Sequence, residues 1–162
     1  MIIKILKKFY RNVIFLILKI EYGKRLKIGR KMRFRKGLCF EIGKNASVSI
    51  GNNVFFNNYC SINCMENIKI GDNTIFGENV KIYDHNHIFN QRNSIKDSGY
   101  KCQGIKIGNN CWIGSNVTIL KGVTIGNNSV IGAGAVIDKN IKPNMLVKEG
   151  RELKVSEIKY EN

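Results

Sequence analysis

The two histidines of this chain stand two residues apart behind an aspartate, in Tyr83-Asp84-His85-Asn86-His87. An imidazole of ordinary pKa, about 6.5, is the side chain best suited to take and return a proton near neutral pH. An alcohol needs such a base before it attacks a carbonyl, because a free hydroxyl is a poor nucleophile. A carboxylate or carbonyl must hold the ring in one tautomer, and Asp84 or an acid from elsewhere in the chain is a candidate for that. No serine or cysteine is paired with a base, so no covalent intermediate on a side chain of this kind is expected. Asp84-His85-x-His87 also has a metal-like spacing, but these are the chain's two histidines. Its five cysteines (Cys39, Cys60, Cys64, Cys102 and Cys111) offer a lone Cys60-x3-Cys64 pair, so no metal is expected. Cys60 and Cys111 are expected to be buried, reduced thiols, which fits a cytoplasmic protein.

The elements that must position these groups follow from a six-residue period. Ile107, Ile113, Ile119, Ile125, Ile131 and Ile137 recur at that spacing, with Cys111, Val117, Val123, Ser129, Ala135 and Ile141 four places after each. Neither a helix nor a simple strand repeats this way; a hexapeptide solenoid does. Three hexads make one triangular coil, and coils stack as parallel strands about 4.8 Å apart. The repeat starts raggedly at Ile28-Gly29 and Ile42-Gly43, settles at Ile50, Phe56 and Ile62, and slips by two residues near Cys64–Asn67, where a bulged corner is expected. It resumes at Ile70, Phe76 and Ile82, vanishes from Tyr83 to Lys106, then runs to Ile141 before Pro143. Both histidines fall in that interruption, and a long loop thrown from a repeat usually carries function. Asn52-Asn53, Asp72-Asn73, Asn109-Asn110 and Asn127-Asn128 mark equivalent corners, where Asn and Gly tolerate positive φ. The expected fold is an all-β solenoid, a parallel β-helix, in three parts. Residues 1–27 form a basic amphipathic helix and linker, 28–146 the β-helix with its loop 83–106, and 147–162 a charged tail. Helix and tail are expected to cap the open ends.

A chain of 162 residues is enough for one core. Its net charge of +15 is uneven: residues 1–36 hold 13 Lys and Arg against Glu21 alone, whereas 37–162 hold 14 against 11 acids. Ile2, Leu6, Phe9, Val13, Leu16, Ile17 and Ile20 have helical spacing, with Lys4, Lys7, Lys8, Arg11 and Lys19 between them. Two readings stand: a helix packed on the body or on a neighbouring subunit, and a basic helix lying on an anionic membrane through residues 1–36. The uninterrupted apolar run Val13–Leu18 is far short of the roughly 20 residues of a bilayer span. No nucleic-acid-binding module is visible despite the charge, so nucleic acid is not an expected partner.

Residues 40–142, and above all Gly104–Lys139, are similar to the left-handed β-helix, hexapeptide-repeat acyltransferases, particularly the maltose, galactoside and nodulation-type O-acetyltransferase branch. The resemblance implies left-handed winding, a homotrimer with active sites at subunit interfaces, and acetyl-CoA in a groove between solenoids. It implies that the catalytic histidine follows an Asn-Val-x-Ile hexad. Here that hexad is Asn79-Val80-Lys81-Ile82, which selects His87 and leaves His85 and Asp84 as supporting neighbours. Asn57, in Phe55-Phe56-Asn57-Asn58, matches an acceptor-site asparagine. Ser115, Ala133 and Lys139 match cofactor contacts, and Trp112 is placed near the cofactor. Asp138 departs from the pattern, since an acid does not favour an anionic cofactor. The γ-carbonic anhydrases share the fold but use three histidines for their metal.

The function expected is CoA-dependent O-acetyl transfer to a sugar hydroxyl, of a surface polysaccharide or lipopolysaccharide precursor, in the cytoplasm or at the inner face of its membrane. Two alternatives remain. Serine O-acetyltransferases share the core but carry a large helical N-terminal domain, which 27 residues cannot supply. A non-catalytic scaffold would not need the histidine-bearing excursion.

Overall fold

Each six-residue step of the sequence becomes one short strand and one corner. The computed structural model describes residues 2–89, 94–148 and 154–157. It is a left-handed parallel β-solenoid of about six turns with one N-terminal helix. Face A stacks Leu26–Ile28, Ser47–Ile50, Asn67–Ile70, Ile105–Ile107 and Thr124–Ile125. Face B stacks Arg33–Phe34, Phe55–Phe56, Ile75–Phe76, Trp112–Ile113, Val130–Ile131 and Met145–Lys148. Face C stacks Cys39–Ile42, Ser61–Cys64, Lys81–Tyr83, Thr118–Ile119 and Val136–Ile137. The pairing puts like on like: Ile62, Ile82, Ile119 and Ile137 form one fully buried column, and Phe56 stacks on Phe76 with ring centres 4.4 Å apart. Buried apolar columns of this kind supply the main stabilisation, at roughly 25 cal/mol per Å² removed from water. Cys60 and Cys111 are buried, as their hexad positions predict.

From one inward residue to the next, every A-to-B and B-to-C step is six residues, as in Ile107 to Ile113 to Ile119. All the irregularity falls on the C-to-A step. It takes 10 residues from Phe40 to Ile50, 8 from Ile62 to Ile70, 25 from Ile82 to Ile107, and 6 from Ile119 to Ile125.

The A–B corner is held by a side-chain ladder. Asn52, Asp72, Asn109 and Asn127 each accept, through a side-chain oxygen, an N–H from the neighbouring coil, at 2.7–2.9 Å. The following residues, Asn53, Asn73, Asn110 and Asn128, take φ of 55–57°, which asparagine tolerates better than other side chains with a Cβ.

The helix runs from Ile2 to Tyr22 across the first coil; the side chains of Met1–Ile5, Lys7 and Lys8 lie outside the described set. Phe15 packs edge-on against Phe34 at 5.2 Å, Leu18 is partly buried, and the buried Tyr22 hydroxyl donates to the Phe40 carbonyl at 2.7 Å. At the other end Met145–Lys148 pairs antiparallel with Lys154–Glu157, so part of the tail is a strand. The helix thus packs on the first coil, and the tail strand extends face B beyond the last one.

Candidate active site

The excursion leaves face C after Tyr83 and rejoins face A at Ile105. Its base is an antiparallel hairpin, His85–His87 against Tyr100–Cys102, with His85 opposite Cys102 and His87 opposite Tyr100. Gln103 N–H donates to the Asp84 carbonyl at 2.8 Å and Ile88 N–H to the Gly99 carbonyl at 3.1 Å, extending the ladder at both ends. Residues 90–93, at the tip, lie outside the described residues.

Asp84 is fully buried at the root of this arm. Its Oδ1 accepts the Met65 N–H at 2.7 Å, and its Oδ2 accepts those of Glu66 at 2.8 Å and Asn67 at 3.0 Å. The Cys64 thiol also points at Oδ2, 3.2 Å away. A buried carboxylate is tolerated because its lone pairs are filled by donors. These donors are the two-residue slip itself, so the bulged corner expected near Cys64–Asn67 is closed by an acid from the next coil. Burial first, and then Asp84, push the Cys64 thiol up to about 12, so it stays protonated.

Asp84 is bonded to His85 rather than His87: Oδ1 lies 3.1 Å from His85 Nδ1. A carboxylate can only accept, so Nδ1 carries the hydrogen of this contact. The two histidines differ in environment. The His85 side chain is 12% exposed and wedged edge-on between Tyr83 and Tyr100, at 6.3 and 4.8 Å. His87 is exposed, its ring centre 4.7 Å from that of Tyr100, and it lines a hollow with Tyr83, His85, Asn86, Phe89 and Ile95. Tyr100 therefore touches both imidazoles. Sequence reasoning missed it, because only the hairpin register puts residue 100 beside residue 87.

The remaining expected residues fall into two groups. Asn57, Ser115 and Ala133 share the B–C corner, with Trp112 just before it on face B and 54% exposed. There Asn57 Oδ1 accepts the Asn58 N–H at 2.9 Å, and Ser115 Oγ accepts the Glu78 N–H at 3.1 Å, leaving the Ser115 hydroxyl hydrogen free of that bond. A Cβ on Gly114 would sit 2.6 Å from Ala133 N, so this corner is built from close backbone contacts. Asp84, His85 and His87 belong instead to the C–A corner, as does the exposed Lys139. Face C, with strands of two to four residues, lies between the corners and holds them on the order of 10 Å apart. One subunit does not bring the two groups together. Among the described residues no cluster of three His, Cys, Asp or Glu side chains could hold a metal.

Fold and site together define a hexapeptide-repeat acyltransferase. The family model "Bacterial transferase hexapeptide (six repeats)" matches residues 104–139. A maltose O-acetyltransferase from Clostridium difficile 630 superposes with a TM-score of 0.75 at 31% identity, over 88% of this chain and 75% of that one. A hexapeptide-repeat acetyltransferase from Vibrio cholerae, crystallised with acetyl-CoA, does so with a TM-score of 0.75 at 28% identity, over 90% and 76%. A protein of Escherichia coli K12, provisionally named a lipopolysaccharide biosynthesis O-acetyl transferase, is 28% identical over 149 residues, 86% of this chain and 76% of that protein. The chain belongs to the hexapeptide-repeat acyltransferase family. It spans between 51% and 76% of the length of the curated relatives it matches.

Proposed function

We propose that this chain is an acetyl-CoA-dependent O-acetyltransferase acting on a sugar hydroxyl, working as a homotrimer whose sites each combine the C–A corner of one subunit with the B–C corner of the next. The observation that carries this reading is an exposed His87 on a braced hairpin, set a full face away from Asn57, Ser115 and Ala133. A neighbour's B–C corner meeting that arm supplies what one subunit lacks. The relatives that bind acetyl-CoA or are named for maltose support the donor and the acceptor class.

In this reading Ser115, the backbone at Ala133, Trp112 and Lys139 line the groove for the acetyl-CoA substrate, and Asn57 holds the acceptor. His87 takes the proton from the acceptor hydroxyl as its oxygen bonds to the thioester carbonyl carbon. The tetrahedral oxyanion collapses, the carbon–sulfur bond breaks, and the departing CoA thiolate takes the proton from His87. Asp84 and His85 hold the arm. The Asp84–His85 bond favours a second reading, with His85 as the base through Nε2, but its burial leaves less room for two substrates to meet it.

CoA release from acetyl-CoA, measured with a panel of sugars and amino acids and with no acceptor, tests the reaction. Sugar-dependent release is expected. His87→Ala should lower turnover by about 10²–10⁴; an undiminished rate, or a larger loss in His85→Asn, would hand the role to His85. No described helix is long and apolar enough to cross a membrane. We place the enzyme in the cytoplasm, peripheral on the inner face of the cell membrane, with a surface-polysaccharide or lipopolysaccharide precursor as acceptor. The basic N-terminal segment and the similarity to the Escherichia coli protein support this placement.

A further inference from the structure

Among its described side chains the helix has two apolar sides, and within one chain only one of them is packed. Phe15, Leu18 and Tyr22 face the first coil. At 100° per residue they cluster on one side, and Leu6, Phe9, Val13, Leu16, Ile17 and Ile20 occupy a stripe about 100° wide on the opposite side. All six are exposed, from 38% for Val13 to 75% for Ile20. The helix crosses the end of the solenoid: Phe15 sits by Leu26, Ile28 and Met32, and Tyr10 and Arg11 sit by Phe34, Arg35 and Lys36. The stripe therefore points away from the coils, out of the base of the molecule.

Around the same base runs a collar of exposed cations. Lys27 projects from face A, Arg30 and Lys31 from the A–B corner, Arg33 from face B, and Arg35 and Lys36 from the B–C corner. Face C of this coil carries Glu41 instead, and the helix bears Glu21. Large apolar side chains on the face and cations round the rim complement one kind of surface. We infer that the N-terminal end is a docking surface for an anionic lipid bilayer, with the helix lying in the interface and the solenoid standing on it.

This orientation fixes a height. The excursion leaves the third coil, two spacings of about 4.8 Å above the first, with a helix about 10 Å thick beneath. Its root thus stands roughly 20 Å from the plane of the stripe. That height suits an acceptor sugar carried on a membrane lipid through an intervening headgroup or saccharide. This substrate class rests on the proposed O-acetyl transfer; the docking surface does not.

The test is flotation of the full-length protein with neutral phosphatidylcholine vesicles and with vesicles containing 30% phosphatidylglycerol. The wild type should float with the anionic vesicles alone and be released by 0.5 M salt. Leu16→Gln/Ile17→Gln/Ile20→Gln should weaken binding by at least ~10²-fold, and Lys27→Gln/Arg30→Gln/Arg33→Gln by about 10²-fold. Both should keep the wild-type melting temperature, oligomeric state and CoA release on a soluble sugar. Absence of wild-type binding to anionic vesicles overturns the proposal, as does unchanged binding of the stripe variant. A stripe variant that falls apart into smaller oligomers, with no vesicle binding by the wild type, makes the stripe a subunit contact. Vesicle binding without sugar-dependent CoA release leaves the surface standing and defeats only the transferase reading.

Discussion

Two corners bound face C, and they are built on different principles. The B–C corner takes six residues per step in every coil; its first position is Arg35 and Asn57 in the first two coils and Gly77, Gly114 and Gly132 in the next three, with no room for a Cβ at Gly77 or Gly114. The C–A corner differs each time, taking 10, 8, 25, 6 and 4 residues from Phe40, Ile62, Ile82, Ile119 and Ile137. A uniform corner makes a straight, shallow edge suited to an extended ligand. A corner free to vary accepts an insertion without disturbing the stack, because the strands before and after it still pair with their neighbours. The chemistry-bearing residues follow that division.

The largest effect on this contrast is expected at the clamp of the variable corner. Asp84→Ala leaves the N–H groups of Met65, Glu66 and Asn67 without their acceptor. A loss of about 3 kcal/mol is expected, lowering the melting temperature by roughly 6–12 °C. Calorimetry alongside kinetics should show stability and turnover falling together; a stable, inactive variant would mean that Asp84 acts on the chemistry alone.

The uniform corner should respond to crowding instead. The methyl group of Gly114→Ala meets Ala133 N. A cost of about 1–3 kcal/mol is expected, with a higher KM for acetyl-CoA and a kcat close to wild type. An unchanged KM would remove this corner from the donor groove.

The last effect is linked to pH and is confined to alkaline solution. Folding raises Cys64 from 9.0 to about 12, through burial and then Asp84, and Tyr22 from 10.0 to about 12, mainly through burial. In both cases the protonated form is favoured in the folded state. Their contribution is therefore complete below pH 9 for Cys64 and below pH 10 for Tyr22, and is lost as the pH rises toward 12. Thermal melts should fall across that window, and Cys64→Ala should flatten the part that begins at pH 9.

The same contrast explains what the residues disclosed. Hexad spacing disclosed that Asn52-Asn53, Asp72-Asn73, Asn109-Asn110 and Asn127-Asn128 turn equivalent corners, because these lie a fixed step apart, but not that their side chains form a ladder. The variable corner was legible only as a gap. Asp84 reaches back 18 residues to Glu66, and Tyr100 meets His87 across a hairpin whose register no local pattern encodes. The likeness to the acyltransferases singled out His87, but nothing in the sequence showed that Asp84 would bond His85 instead. The separation of the two residue groups also needed the coordinates, because a linear repeat does not say which corner a given hexad turns.

Subunit mixing tests the shared site most directly. His87→Ala and Asn57→Ala proteins, each inactive alone, are denatured, combined in equal amounts and refolded together. If one subunit's arm works against its neighbour's B–C corner, some interfaces pair two intact partners, and activity should return to about a quarter of wild type. A refolded mixture as inactive as its two components would place the whole site within one subunit and contradict the account.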